Sequence, residues 1–364
     1  MIGMNDFRLQ PHGQHAREVA AVSRVLEEGW WILGKEVAAF ESTWANYLGC
    51  AHAIGVGNGM DALEIGLRIL GIGQGDEVIT TPMTAFATVL AIFRAGATPV
   101  LADIEPNTAM ITADSISRCI TKKTKAVILV HLYGQVGNVF EIENLCQSQQ
   151  LFFIEDCAQA HGAKFQNKHV GTFGKVAAWS FYPTKNLGAA GDAGAVTTAS
   201  ELLAIEARKL RNYGQSERYH HPSLGMNSRL DEIQAAILQT RIPLLEKQTN
   251  TRRQIAHTYS SRIENPKIKL LPLPSDPESH VHHLYVITTN ERDLLQEHLR
   301  IQGVSSLSHY PIPIHHQQAC LDIKQDPKGL QNAETHAATC LSIPCHPMMS
   351  DDEISRVINA VNTF

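Results

Sequence analysis

Two stretches decide how this chain folds: LFFIEDCAQAHGA, residues 151–163, and WSFYPTKNLGAAGDAGA, residues 179–195. The first is a short apolar run that closes on two carboxylates and then breaks into small and polar residues. Bounded in this way it reads as a buried strand with Glu155 and Asp156 at its carboxyl end. Successive strand side chains point to opposite faces, so only one of these carboxylates can face a ligand; Asp156 is the expected one and Glu155 the alternative. The second stretch starts as another strand and passes into a turn of glycines and alanines that holds Lys185. Ligands of open α/β sheets collect beyond the carboxyl ends of the strands, where both stretches end.

Outward from these stretches, residues 51–198 alternate short apolar runs with segments of helical period. AIGVG, EVITTP, PVLADI and AVILVHLY read as strands, with DALEIGLRIL from Asp61 and a segment through Phe93 among the helices between them. That alternation predicts an α/β fold with a large, mainly parallel sheet covered by helices on both faces. AAWSF and AGAVTT are expected to pair with each other at an antiparallel edge. A long helical stretch follows from Ser228, broken at Pro243. Beyond Pro266 the texture changes: LLPLPSDPESH reads as loop, HHLYVITT as strand, and DDEISRVINAV as a C-terminal helix capped by Ser350 or Asp351. The expected division is a large domain over residues 1–249, with an N-terminal helical arm, and a smaller C-terminal α+β domain over residues 250–364.

Composition narrows the function. The 364 residues carry 31 basic and 36 acidic side chains, a net charge of −5. There is no cationic surplus of the kind a polyanion needs, so nucleic acid is not an expected partner. Seven dispersed cysteines without a CxxC pair support neither a disulfide framework nor a zinc site, and no metal is expected. The polar N-terminus and the lack of an apolar run near the ~20 residues of a membrane helix lead to the expectation of a soluble, reduced, cytoplasmic protein without a membrane partner.

The chemistry starts from Lys185. A lysine that forms a Schiff base needs a carbonyl partner; pyridoxal phosphate is the common bound one, and it requires a carboxylate beside its ring nitrogen. Asp156 supplies that carboxylate. Ser180 is placed to donate to the cofactor phosphate, and Gln159 to the ring hydroxyl. GVGNGMDALEI, residues 55–65, puts glycines between a strand and a helix start, where free N–H groups and the helix dipole suit a phosphate. Each feature also has a plain structural reading. The glycine run is an ordinary strand-to-helix turn, Gln159 a polar first-turn residue, and His161 packing. GIGQGDE is not a dinucleotide fingerprint, which argues against a nicotinamide enzyme.

The ordered set GNGMDAL, EDCAQAHGA, SFYPTKNLGAAGDAGA and GMNSRLDEIQAAIL resembles the DegT/DnrJ/StrS-type nucleotide-sugar aminotransferases, which are fold-type I pyridoxal phosphate enzymes. The likeness runs from GWWILGKEVAAFE to LSIPCHPMMSDDE. It implies Lys185 as the Schiff-base lysine, Asp156 at the ring nitrogen, Gln159 at the ring hydroxyl, and Ser180 with the backbone of Gly59 and Met60 around the phosphate. Asn227 matches an asparagine that reaches the phosphate of a neighbouring subunit, which implies a homodimer with shared active sites. Two positions depart from the pattern. Met60 stands where many members have a threonine. The usual ring-stacking aromatic falls on Ala85, which leaves Phe86, shifted by one, or Met83 to cover the ring. Tyr182, Arg229, His309 and Tyr310 match the set around the sugar and its pyrophosphate, although the prolines of SHYPIPIHH could equally shape a simple turn. The implied substrates are a nucleotide-linked keto sugar and L-glutamate. RNYGQSERYHHPSLGMNSRLDE and FRLQPHGQHAREVAAV resemble the members that aminate C3 of dTDP-3-keto-6-deoxyhexoses, with UDP-linked 3-keto uronic acids or 4-keto sugars as alternatives. Orientation of the sugar would fall to His220, His221, Arg229, His309 and Tyr310. A dehydratase relative would carry histidine at Lys185, and a non-catalytic cofactor-binding regulator is the remaining alternative.

Overall fold

The structure is a computed structural model that describes residues 1–364. Its strands, in chain order, are β1 His52–Val56, β2 Glu77–Thr80, β3 Thr98–Leu101, β4 Thr124–Val130 and β5 Phe152–Asp156. A small hairpin, β6 Lys164–Phe165 and β7 Lys168–His169, precedes β8 Val176–Ser180 and β9 Gly194–Thr198. The C-terminal part adds β10 Lys269–Leu270, β11 Tyr285–Thr288, β12 Lys324–Gln325 and β13 Cys340–Ile343.

Eight strands form one sheet in the order β1-β9-β8-β5-β4-β2-β3-β12. β9 alone runs against the rest: it pairs antiparallel with β1 and β8, while the pairs from β8 to β12 are parallel. β8 and β9 therefore pair as expected, but not at an edge. β1 closes the sheet outside β9, because its GVGNG turn feeds the helix Gly59–Ile69 back across β8 and β9. The buried β2 and β4 read as apolar runs because helices cover both faces, as parallel strands require.

A second core gathers Ile255, Tyr259, Ile287, Leu295, Leu341, Val357 and Ile358 around a three-stranded antiparallel sheet, β10-β11-β13. Ser350 caps the last helix, Asp351–Asn362, in a reciprocal box with Glu353. We keep the division near residue 250 as a proposal, with two crossings: Ile2 packs in the second core, and β12 extends the large sheet beside β3. Pro243 lies in the single-turn break between the helices Glu232–Arg241 and Leu245–Arg262.

Under the functional end of the sheet, aromatic rings lock the N-terminal helix Lys35–Leu48 to β8. Trp44 meets Trp179 edge-on at 5.0 Å and Phe181 at 5.6 Å, and Phe40 meets Phe181 at 5.2 Å. Trp179 Nε1 donates to Thr197 Oγ1 at 2.9 Å, which ties β8 to β9. Gly171, at φ +81°, lies so close that a Cβ there would stand 2.2 Å from the Trp179 ring.

Glu155 is buried on the face of β5 away from the site, as the period-two alternation requires. Its carboxylate accepts from the backbone N–H groups of Gly171 at 2.7 Å, Phe173 at 2.9 Å and Gly174 at 2.7 Å, and sits 3.1 Å from His131 Nε2. It fastens the turn that leads into β8 and has no capacity left for a ligand. Glu155→Gln would set an amide donor against those N–H donors. The expected loss is about 2–4 kcal/mol, read as a lower urea-unfolding midpoint; an unchanged midpoint would contradict this role.

Candidate active site

Parallel pairing of β5 with β8, in register at Asp156 and Ala178, brings the carboxyl ends of the two decisive stretches side by side. Asp156, the last residue of β5, is 5% exposed. Thr88 Oγ1 donates to its Oδ2 at 2.8 Å and Ala158 N to its Oδ1 at 3.1 Å. Burial pushes this carboxyl up, while Thr88, Ala158 and the charge of Lys185 act to keep it ionised. Thr88 is a site residue that the sequence reading missed; it lies on the helix Phe86–Arg94, two residues after Phe86.

Lys185 sits in the turn after β8, its N–H donating to Tyr182 O at 2.8 Å. Desolvation brings its ammonium down to about 8, against the opposing pull of Asp156. Three histidines with lowered pKa feel its charge. His161 is brought to about 3 and His309 to about 4, each by burial first and Lys185 second, and His283 is also well below its ordinary value. His283 Nδ1 is 3.2 Å from Asn186 Oδ1, and Asn186 Nδ2 donates to Val281 O at 3.0 Å, so the segment around residue 283 steadies the turn that carries the lysine. A cleft of about 140 Å³ opens beside Lys185 between Thr184, Asn186, His346 and the N-terminal residues Asn5, Asp6 and Gln10. No motif signalled those N-terminal residues.

Gly59 opens the helix Gly59–Ile69, whose Asn58 cap accepts from Asp61 N at 2.9 Å. A Cβ on Gly59 would lie 2.6 Å from Ser180 Cβ, and one on Gly194 would lie 2.4 Å from Asn58 O. Glycine at both positions lets the helix start seat directly against Ser180. The first helical N–H groups, those of Gly59 and Met60, have no intrahelical acceptor and carry the positive end of the dipole. Ser180 Oγ accepts from Tyr182 N at 3.3 Å, which leaves its own proton to donate. This cradle suits a phosphate dianion, and Lys185 and Asp156 suit the aldehyde and ring nitrogen of a pyridine cofactor; the residues present fit pyridoxal phosphate.

Gln159 is buried, with Oε1 accepting from Tyr133 N at 2.6 Å and Nε2 directed at Tyr310 Oη, 3.2 Å away. Tyr310 thereby joins the group, and His309 beside it holds Ser342 Oγ at 2.9 Å. Phe86 is not on a strand: it is the first residue of its helix, with Ala85 as the cap, and is 37% exposed, whereas Met83 is fully buried in the core. Tyr182 is exposed. Asn227 is exposed and makes no side-chain hydrogen bond within the chain, although the adjacent Ser228 Oγ accepts from Gly57 N at 3.0 Å. Arg229 donates to Asn212 at 3.3 Å and lies over the Tyr213 ring at 5.4 Å; His220 and His221 are exposed. Within one chain, Asn227 and Arg229 are thus not joined to the Lys185 cluster by any hydrogen bond. All seven cysteines are free, and no helix is long and apolar enough to cross a membrane.

The chain is similar over nearly its whole length to known aminotransferases. The model of the DegT/DnrJ/EryC1/StrS aminotransferase family matches residues 13–362. The dTDP-3-amino-3,6-dideoxy-α-D-galactopyranose transaminase of Aneurinibacillus thermoaerophilus is 44% identical over 365 residues, covering 100% of this chain and 99% of that protein. The UDP-N-acetyl-3-dehydro-α-D-glucosamine 3-aminotransferase of Acidithiobacillus ferrooxidans is 39% identical over 343 residues, covering 94% of this chain and 92% of that one. Among solved structures, S. venezuelae DesV in complex with a ketimine intermediate superposes with a TM-score of 0.95 at 39% identity, covering 100% of this chain and 98% of DesV. With the fold, the cofactor cradle and these relatives in accord, the chain belongs to the DegT/DnrJ/EryC1/StrS aminotransferase family and is a pyridoxal phosphate-dependent sugar aminotransferase.

Proposed function

We propose that the enzyme transfers an amino group from L-glutamate to the C3 ketone of a dTDP-linked 3-keto-6-deoxyhexose. The single observation that carries the amination chemistry is the joint placement of Asp156, at the end of β5, and Lys185, in the turn after the adjacent parallel strand β8, each feeling the other's charge. The 44% identical dTDP-3-amino-sugar transaminase supports the sugar class and the carbon. When bound, the cofactor's protonated ring withdraws electrons from the carbon that loses or gains a proton. The chain does the rest. Asp156 holds the proton on the ring nitrogen, Gln159 Nε2 donates to the ring hydroxyl, and Ser180 with the N–H groups of Gly59 and Met60 holds the phosphate. Lys185 would hold the cofactor, and its amine would serve as the base that moves the proton. A lysine lowered to about 8 is partly neutral near neutral pH and so available as a base. Phe86 is our choice for the residue that covers the ring.

Tyr182, Arg229, His309 and Tyr310 are assigned to the nucleotide sugar, with Arg229 meeting the diphosphate locally because the chain has no global positive field. Which ketone reacts depends on how these groups turn the sugar against the cofactor. The 39% identical UDP-linked 3-aminotransferase makes a UDP-linked 3-keto sugar the second reading. Both readings place nitrogen on C3. Incubation with glutamate and, separately, dTDP-3-keto-6-deoxyhexose, its 4-keto isomer and UDP-linked 3-keto sugars, followed by NMR of the product, tests this. Nitrogen on C3 of the dTDP sugar is the expected outcome; nitrogen only on C4, with 3-keto substrates ignored, would overturn the regiochemistry.

We further propose a cytoplasmic homodimer in which Asn227 completes the phosphate site of the other subunit. Its exposure and lack of an intrachain partner support that role. Lys185→Ala and Asn227→Ala proteins should each be severely impaired alone. Mixed and allowed to exchange subunits, they should recover up to about a quarter of wild-type activity, since half the dimers would be mixed and each would hold one intact site. No recovery despite demonstrated subunit exchange would contradict the sharing.

A further inference from the structure

Tyr133 lies outside every motif that led to the site, yet three separate segments of the chain meet on it. It stands in the turn Leu132–Gly134 after β4, is 2% exposed, and adopts φ +61° and ψ 2°. That left-handed conformation, uncommon for a large side chain, accompanies a backbone N–H directed at Gln159 Oε1, 2.6 Å away. Its hydroxyl lies 2.5 Å from His309 O and 2.9 Å from His336 Nε2. Gln159 follows β5, His309 lies in the loop before Pro311, and His336 is on the helix Gln331–Thr339. One tyrosine thus joins the segment after β5 to two C-terminal segments, the 309–310 loop and the helix Gln331–Thr339.

The proton inventory of this network has one consistent solution. His309 O can only accept, so the Tyr133 hydroxyl donates there and must accept from His336. His336, held near 4 by burial, is neutral at ordinary pH and carries its single proton on Nε2. Because the Tyr133 N–H occupies Gln159 Oε1, the amide group of Gln159 must face Tyr310. One Nε2–H goes to Tyr310 Oη, and the other is free for a cofactor oxygen. Tyr310 then accepts from Gln159, and its own hydroxyl proton has no acceptor within the chain. Burial raises the Tyr310 hydroxyl to about 12, with Asp156 adding to the shift, so it stays a donor across the working pH range.

We propose that Tyr133 is a positioning residue: its backbone N–H sets the polarity of the Gln159–Tyr310 pair, and its hydroxyl, held by His336, seats the 309–310 backbone, so that Tyr310 presents a hydrogen-bond donor to an oxygen of the keto sugar. The inference rests on the proposed substrate role of Tyr310 but not on which nucleotide or which carbon is used. It separates two functions of Tyr133. The backbone N–H serves Gln159 and the cofactor; the hydroxyl serves the sugar-facing loop.

Tyr133→Phe keeps the first function and removes the second. The expected result is a rise of about tenfold in KM for the keto sugar, with kcat within about twofold and the cofactor absorption band unmoved. Tyr310→Phe should raise the same KM, and the double variant should be no worse than Tyr310→Phe alone, because both act through one hydroxyl. A shifted cofactor band, an equal loss in kcat, or additive effects in the double variant would overturn the proposal. Should Tyr133→Phe fail to fold, His336→Gln, which retains a donor toward Tyr133, is expected to preserve KM while His336→Ala raises it; equal KM values for the two would overturn it as well. An unaltered KM in Tyr310→Phe would fault the substrate role assigned to Tyr310 instead, whereas unimpaired turnover in Lys185→Ala would fault the proposed chemistry.

Discussion

Alternation at the end of one strand governs this molecule. Glu155 and Asp156 are chemically similar neighbours on β5, and the pleat sends them to opposite faces. On one face Glu155 binds three backbone N–H groups and holds the turn that delivers β8. On the other, Asp156 is held by Thr88 and Ala158 in a pocket that also lowers the Lys185 ammonium. A register slip of one residue would exchange these environments, leaving the turn without its acceptor and the site without its carboxylate. The same short element therefore secures the scaffold and sets the electrostatics of the site.

A second constraint is steric. Gly59 and Gly194 are the positions where a side chain would collide with Ser180 and with the Asn58 backbone, so the start of the helix Gly59–Ile69 seats on the end of β8. Close approach brings helix N–H groups and a serine hydroxyl to one point, a favourable arrangement for an anion. Around Lys185, burial keeps three histidines neutral, so the lysine is not surrounded by competing positive charge. The site thus separates its charges: donors for the phosphate at the helix start, and a carboxylate facing a readily deprotonated amine at the strand ends.

Much of this was legible in the sequence for identifiable reasons. The strand ends at Asp156 and Ser180, the glycine turn at residue 59 and the helix cap at Ser350 announce themselves through periodicity and local turn chemistry. What could not be read depends on contacts between distant segments. Nothing local marks Thr88 as the partner of Asp156, or Tyr133 as the bridge to His336, which is some two hundred residues away along the chain. The interior place of β9 was missed because an antiparallel pair looks the same in sequence whether or not a third strand lies outside it. β12, only two residues long, carries no periodicity at all, yet it extends the main sheet.

The central claim is that Lys185, facing Asp156, is the residue that carries the cofactor. Reduction of the pyridoxal phosphate-loaded enzyme with borohydride, followed by proteolysis and mass spectrometry, tests it directly, because reduction makes the lysine linkage permanent. The account predicts one stoichiometric adduct per chain, on the peptide that contains Lys185. An adduct on another lysine, or a loaded enzyme that yields none, would contradict it.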